Sequence, residues 1–121
     1  MKLLNDLFEI TEASSNEFGF CATIKLFPGH IVYAGHFPGY PVTPGVVQLQ
    51  IVHELLENHF GRHLSLISVD DCKFLKIVNP EVHREITFTI EIRANDSVLA
   101  IKAIGKLEND VCLRLKARFR S

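Results

Sequence analysis

Apolar and polar residues alternate along several stretches of the chain, a pattern typical of β-strands with one buried face. The alternation is plain from residue 18 onward, and residues 8–13 are predicted to pair with this strand across a Ser-Ser-Asn-Glu turn. After Leu64 the pattern returns and predicts three or four long antiparallel strands. The inward positions of the first strand are predicted to be Phe18, Phe20, Ala22, Ile24 and Leu26.

The stretch from Pro28 to Gly45 interrupts this alternation, because it contains four of the five prolines and four of the seven glycines. Proline lacks a backbone donor and glycine permits unusual dihedral angles, so we expect a structured loop. Thr43 is then predicted to cap a helix whose first residue is Pro44. Apolar residues spaced by three and four extend this helix for about four turns, and Gly61 is predicted to end it.

The order of elements predicts an α+β domain covering residues 1–121, with no repeat or linker. Residues 2–7 are expected to form a short helical turn. One helix cannot cover both faces of a sheet of this size, so an antiparallel sheet wrapped around one long central helix needs further cover. A second copy of the chain would supply it. The predicted assembly is therefore at least a homodimer.

Composition excludes several classes of function. Hydrophobic residues make up 47% of the chain, and the formal net charge of −1 argues against nucleic-acid binding. No apolar run approaches the roughly 18–20 residues that span a bilayer, and the first residues lack a signal-peptide pattern. Cys21, Cys72 and Cys112 fit reduced thiols better than a disulfide framework. These observations predict a cytoplasmic protein without membrane or nucleic-acid partners.

His36 stands in the proline-rich loop just ahead of the predicted helix. Histidine titrates near neutral pH and can take and return protons. A helix N-terminus offers unpaired N–H groups, which suit a carbonyl oxygen that gains negative charge. The pair suggests proton abstraction next to a thioester carbonyl. The alternative is that His36 only holds the loop by hydrogen bonding.

The segment from residue 35 to 46, GHFPGYPVTPGV, resembles the signature of β-hydroxyacyl-acyl carrier protein dehydratases. In that family a His-Phe-Pro-Gly run is followed by Pro-x-x-Pro-Gly-Val. Residues 69–80 resemble the family's strand and turn after the helix, so the similarity extends over nearly the whole chain. The resemblance implies a hot-dog fold, in a dimer or a trimer of dimers, with each active site formed across the subunit interface.

By this resemblance His36 is the catalytic histidine, and the N–H of Gly45 polarises the thioester carbonyl. The implied substrate is a 3-hydroxyacyl chain on the phosphopantetheine of an acyl carrier protein, which loses water to give a trans-2-enoyl product. No other cofactor is implied. The loop residues implied to surround the substrate are Phe37, Pro38, Gly39, Pro44 and Val46.

One position departs from the family's pattern. The resemblance places an acidic catalytic residue fourteen positions after the histidine, where this chain has Gln50. An amide supplies hydrogen bonds but no proton, and loss of a general acid costs roughly 10²–10⁴-fold in rate. Glu54, one turn further along, is a candidate replacement. The alternative is that Gln50, Glu54 and Glu57 form a solvated polar stripe on the helix.

Gln50 keeps two other functions open on the same fold. One is a non-catalytic acyl-binding subunit that completes a heterodimer with an active partner, and the other is acyl thioester hydrolysis. A metal site is not expected, because no acidic or cysteine partner stands at ligand spacing from the histidines. Basic residues are candidates for docking an acidic carrier protein, or for a solvated outer face. They are Lys73, Lys76, Arg84, Arg114, Lys116, Arg118 and Arg120.

Overall fold

The computed structural model describes residues 2–35, 37 and 39–120. It has the predicted α+β architecture of an antiparallel sheet with one long helix. Helix α1, Val32–Gly35, is a single turn inside the proline-rich loop, and helix α2 is Gly45–Phe60. The six strands are β1 (Phe8–Ser15), β2 (Gly19–Leu26), β3 (Ser65–Phe74), β4 (Glu85–Asn95), β5 (Val98–Leu107) and β6 (Asp110–Arg120).

The strands form one antiparallel sheet in the order β1-β2-β4-β5-β6-β3. The predicted pairing of β1 with β2 is confirmed, and their register joins Phe8 to Leu26. Alternate residues of β2, β4, β5 and β6 are buried, as the period-two pattern predicts. These inward residues and one face of α2 form a common core, whose helical members are Val47, Ile51, Val52, Leu55 and Leu56.

Phe18 is the exception to the predicted inward face. Its side chain is 66% exposed, and β2 begins one residue later at Gly19. The N–H groups of Phe18 and Gly19 both donate to Asn16 Oδ1, which holds the chain in a turn there. The Phe18 carbonyl still accepts from the Ile92 N–H at 2.8 Å. The backbone therefore joins the sheet while the ring lies outside the core.

The start of α2 differs from the prediction by one residue. Pro44 occupies the N-cap position with an extended backbone, and Gly45 is the first helical residue. Thr43 is not the cap. Its hydroxyl instead lies 2.8 Å from the Tyr33 hydroxyl, and both side chains are buried. The predicted end of the helix is confirmed, because Gly61 has φ of 69° and its N–H donates to the Glu57 carbonyl.

One edge of the sheet is apolar and exposed. Strand β3 pairs with β6 on one side and forms the last strand in the sheet order. Leu66, Ile67 and Val69 on this strand each keep more than two fifths of their surface exposed. An edge strand presents unpaired N–H and C=O groups to a partner. Within the described residues, neither helix has the length and apolar character of a membrane span.

Candidate active site

A four-residue turn precedes the long helix. Phe37 and Tyr40 exchange two backbone hydrogen bonds of 2.9 and 3.0 Å, and Gly39 has φ of 74°. A positive φ at the third residue of such a turn favours glycine, because a Cβ atom would be strained there. Two residues of the predicted site, His36 and Pro38, lie outside the described residues. Phe37 and Gly39 are placed in the turn that leads to α2.

Gly45 opens α2 with its N–H group unused by the helix. The first backbone bonds of α2 come from the N–H groups of Val47 and Gln48, which both donate to the Pro44 carbonyl at 3.1 Å. The N–H groups of Gly45 and Val46 precede these bonds, and such groups are available to an anion or a polarised carbonyl. Val46 is 74% exposed. The role of the Gly45 N–H as a donor to the thioester carbonyl stays a prediction, and the position of Gly45 at the helix start is compatible with it.

A cavity of about 300 Å³ lies against this helix start. One wall is the beginning of α2, and the opposite wall is the segment that follows β3. The segment is tied down by a hydrogen bond of 2.8 Å from the Thr43 N–H to the Val78 carbonyl. The lining is mostly apolar and consists of Val42, Thr43, Pro44, Gly45, Gln48, Phe74, Leu75, Lys76, Ile77 and Val78.

The absence of a side chain at Gly45 makes room for the Phe74 ring. A Cβ atom built on Gly45 would lie 2.6 and 2.7 Å from two carbon atoms of that ring, closer than van der Waals contact allows. The Phe74 ring therefore packs directly over the first residue of α2. This contact explains why glycine suits this position, although its backbone φ is not positive.

Gln50 and Glu54 form a hydrogen-bonded pair one turn apart on α2. Gln50 Nε2 donates to Glu54 Oε2 at 2.8 Å. The Glu54 carboxylate also accepts from the backbone N–H groups of Leu3 and Leu4, in three contacts of 2.8 Å. This carboxylate therefore ties the start of the chain to the helix, while Gln50 lies further along α2 than the residues that line the cavity.

Glu54 corrects one prediction. Its side chain is buried, with 4% exposed, so it is not part of a solvated stripe. Both of its oxygens accept backbone N–H groups, and a substrate would have to displace one of these bonds to reach them. Glu54 thus serves to hold the N-terminal residues, which argues against it as the replacement acid. Gln50 is half-buried beside it.

Sequence reasoning missed Gln48 as a functional candidate. It belongs to the first turn of α2, is 3% exposed and lines the cavity beside Gly45. The available signal was its spacing, because Gln48 stands three and four positions before Ile51 and Val52 on the apolar face of the helix. A polar residue on an apolar stripe needs a partner or a function.

The described groups whose pKa departs from its ordinary value lie outside this cavity. Burial raises the pKa of the Cys112 thiol to about 11. For Glu57, burial acts to raise the pKa. The hydrogen bonds from the Leu64 N–H and His63, together with the nearby His53, outweigh burial, so the net pKa of Glu57 is below its ordinary value. Arg118 pairs with Asp70 at 3.1 Å on the outer face of the sheet. The described part of the chain contains no group of three side chains suited to a metal ion.

Comparison with known proteins identifies the family. Residues 11–112 match the model of the ApeI-like family, which is described as ApeI dehydratase. The chain belongs to this family. The ApeI-like match contains the turn at Phe37, the helix start at Gly45 and the cavity beside it. The resemblance drawn from the sequence motif is therefore confirmed.

Sequence relatives and solved structures agree with this assignment. The 3-hydroxyacyl-[acyl-carrier-protein] dehydratase FabZ of Bacillus subtilis (strain 168) is 28% identical over 96 residues, which cover 72% of this ApeI-like chain. They cover 66% of the FabZ protein, slightly less than two thirds of its length. The dehydratase heterocomplex ApeI:P from Xenorhabdus doucetiae has a chain that is 19% identical, with a TM-score of 0.69 over 93% of this chain and 96% of that one.

A hypothetical thioesterase protein with coenzyme A from Streptococcus pneumoniae TIGR4 has the same fold. It is 10% identical, and the TM-score is 0.66 over 93% of this chain and 84% of that chain. At these identities the structures establish the fold alone, and they confirm the predicted hot-dog architecture for this ApeI-like protein.

Proposed function

We propose that the protein dehydrates 3-hydroxyacyl chains on acyl carrier protein to trans-2-enoyl chains, in fatty acid or related acyl-chain synthesis. The observation that carries this proposal is the helix start at Gly45, which lies in the wall of an apolar cavity within the region that matches a dehydratase family. An acyl thioester fits such a site, because its chain is apolar and its carbonyl oxygen accepts hydrogen bonds.

In the proposed reaction the His36 imidazole removes a proton from C2 of the acyl chain. Negative charge develops on the thioester oxygen, and the Gly45 N–H stabilises it with the positive end of α2. The C3–O bond then breaks, the C2–C3 double bond forms, and the proton leaves with the hydroxyl as water. Gln50 supplies no proton, so the imidazole returns the one it took. Gln50 orients the leaving hydroxyl.

We further propose that the active form is a homodimer. The apolar β3 edge is exposed at Leu66, Ile67 and Val69, and Val46 at the helix start is exposed as well. Gln50 lies outside the cavity beside Gly45 of its own chain. A site that needs both residues is complete only when two chains combine. A second copy would cover the β3 edge and bring its own Gln50 to the site.

An acyl carrier protein is the proposed donor of the substrate. Lys76 is exposed and lines the cavity beside Gly45. A positive side chain at this place attracts an acidic carrier and raises its rate of association. Arg118 contributes less to such a field, because its charge is paired with Asp70.

The test is to follow enoyl formation from 3-hydroxyacyl-acyl carrier protein by the purified protein. We expect slow turnover that His36→Ala abolishes and that Gln50→Glu raises by roughly 10²-fold, because the carboxyl group restores a general acid. The dimer is checked by mass from light scattering. No turnover by the wild type or by Gln50→Glu would contradict the dehydratase proposal, and thiol release without enoyl product would indicate hydrolysis.

Gln50 also favours a second candidate, a subunit that completes a heterodimer with an active partner. One solved structure of similar fold, from Xenorhabdus doucetiae, is a dehydratase heterocomplex. In such a pair the amide of Gln50 would take the place of the acid in one of the two sites. This candidate predicts no turnover by the chain alone and turnover when a second hot-dog subunit carrying an acid at the matching position is added.

A further inference from the structure

The first turn of α2 holds a buried amide whose two ends differ. Gln48 Nε2 donates to the Thr43 carbonyl at 3.2 Å. The reverse orientation would place two acceptors against each other, so chemistry fixes the amide this way round. Gln48 Oε1 consequently faces away from Thr43. It is buried and has no hydrogen-bond partner among the residues that the structure describes.

A buried acceptor without a partner is unfavourable, and native proteins contain few of them. Gln48 Oε1 belongs to a residue that lines the cavity beside Gly45. The other polar side chains of this lining do not compete for the same role. The Thr43 hydroxyl already shares a hydrogen bond with Tyr33, and Lys76 carries only donors. Among the described residues of this wall, Gln48 is therefore the side chain with a buried acceptor that has no partner.

The spacing along the helix matches the chemistry of an acyl thioester. Gln48 follows Gly45 by three residues, a rise of about 4.5 Å along α2. A 3-hydroxyacyl thioester carries a hydroxyl three bonds from its carbonyl carbon. Its pantetheine arm carries an amide N–H three bonds from sulfur. With bonds of about 1.5 Å, either donor lies within a similar distance of the thioester group.

We propose that Gln48 Oε1 accepts a hydrogen bond from a donor next to the thioester of the bound ligand, and that Gln48 thereby determines which thioesters bind well. This inference rests on the proposed function only in taking an acyl thioester as the ligand. The donor is the 3-hydroxyl of the acyl chain or the first amide N–H of the arm. Gln48 acts in binding, and it takes no part in the proton transfers.

The experiment compares Gln48→Met with its parent, both carrying His36→Ala so that no ligand is consumed. Methionine has nearly the shape of glutamine but no hydrogen-bonding amide. Dissociation constants are measured by calorimetry for 3-hydroxydecanoyl-pantetheine, decanoyl-pantetheine and S-methyl thiodecanoate. We expect Gln48→Met to weaken binding of 3-hydroxydecanoyl-pantetheine about three- to tenfold, the usual effect of one neutral hydrogen bond.

The three ligands identify the donor. A loss confined to 3-hydroxydecanoyl-pantetheine assigns the acyl hydroxyl, and a loss for both pantetheine thioesters but not the S-methyl ester assigns the arm. Equal losses for all three ligands would show a packing effect and overturn the inference. Unchanged binding, or no binding by the parent, would overturn it as well. The dehydratase proposal is judged separately, by enoyl formation on carrier protein.

Tyr33→Phe serves as the matched control. It removes the buried hydrogen bond to Thr43 next to Gln48 but leaves the Gln48 amide in place. We expect Tyr33→Phe to lower the unfolding temperature while each dissociation constant stays within about twofold. A purely structural role for Gln48 predicts instead that Gln48→Met changes stability and no affinity.

Discussion

The two halves of helix α2 each bury one polar side chain, and the two side chains differ in how many of their hydrogen bonds are made within the chain. In the second half, the Glu54 carboxylate accepts hydrogen bonds from Leu3, Leu4 and Gln50. In the first turn, Gln48 uses its N–H end on Thr43 and leaves its oxygen unpaired among the described residues. Both side chains are almost fully buried.

The difference separates a structural group from a candidate binding group. A buried polar side chain whose hydrogen bonds are all made within the chain stabilises that chain. A buried acceptor left without a partner, on a residue that lines a cavity, is a candidate to bind a ligand. The second half of α2 therefore anchors the N-terminal residues, and the first turn faces the cavity.

Replacing each buried side chain by methionine tests this comparison most directly. Glu54→Met should lower the free energy of unfolding by about 2–4 kcal/mol, because the N–H groups of Leu3 and Leu4 lose their acceptor. Urea denaturation measures this change, and faster amide exchange at Leu3 and Leu4 should accompany it.

Gln48→Met is the matched variant on the same helix. It exchanges one hydrogen bond and one unpaired acceptor for an apolar side chain of similar volume, so we expect a change within about 1 kcal/mol. A Glu54→Met variant no less stable than Gln48→Met would remove the distinction between the two halves of the helix.

Gly45→Ala tests the first turn of α2, which lies beside the cavity. Alanine is well tolerated at a helix start, but its Cβ atom would collide with the Phe74 ring. Because Phe74 is half-exposed, the ring is able to move, and we expect stability to change by less than about 1 kcal/mol. Turnover should fall about 10- to 100-fold, because a displaced ring shifts the bound thioester relative to the Gly45 N–H. Steady-state kinetics and thermal unfolding measure the two effects.

Two further variants control for this effect. Gly29→Ala places a Cβ atom where nothing lies within 4 Å, so activity and stability should both be preserved. The double variant Gly45→Ala with Phe74→Leu gives the new methyl group room, so it should recover part of the lost turnover. A Gly45→Ala protein with full activity would show that contact between Phe74 and the helix start does not matter for the site.

The sheet and the extent of the helix were predictable from sequence because their signals are local and repeated. Alternation places Ile86, Phe88 and Ile90 inward without knowledge of the rest of the chain. The prediction for Phe18 was wrong because the turn held by Asn16 extends through Phe18, one residue beyond the predicted Ser-Ser-Asn-Glu turn. The prediction that Thr43 caps α2 was wrong because its hydroxyl has a tertiary partner, Tyr33, ten residues away.

The candidate site was predictable only in part. The motif located Gly45, which opens α2 one residue later than the predicted helix start. The roles of Gln48 and Glu54 depend on which groups lie within hydrogen-bonding distance of each side chain. The partners of Glu54 are backbone groups about 50 residues away in sequence, at Leu3 and Leu4. No spacing rule along the helix contains that information, which is why the sequence left Glu54 open as a replacement acid or as part of a solvated stripe.

The pH dependence of the stability of Glu57→Gln tests the second half of α2, and its expected effect is the smallest of these predictions. Although burial raises its pKa, the bonds from the Leu64 N–H and His63 and the nearby His53 leave the native pKa below the ordinary 4.5. A group with a lowered native pKa stabilises the fold above its unfolded pKa, and that contribution disappears as pH falls through the native pKa. We expect Glu57→Gln to cost no more than about 1 kcal/mol at pH 7, since the carboxylate is partly exposed. The difference from wild type should vanish below pH 4.5, as urea denaturation across pH would show. A difference that stays constant with pH would mean that shape, and not charge, holds Leu64 to this end of the helix.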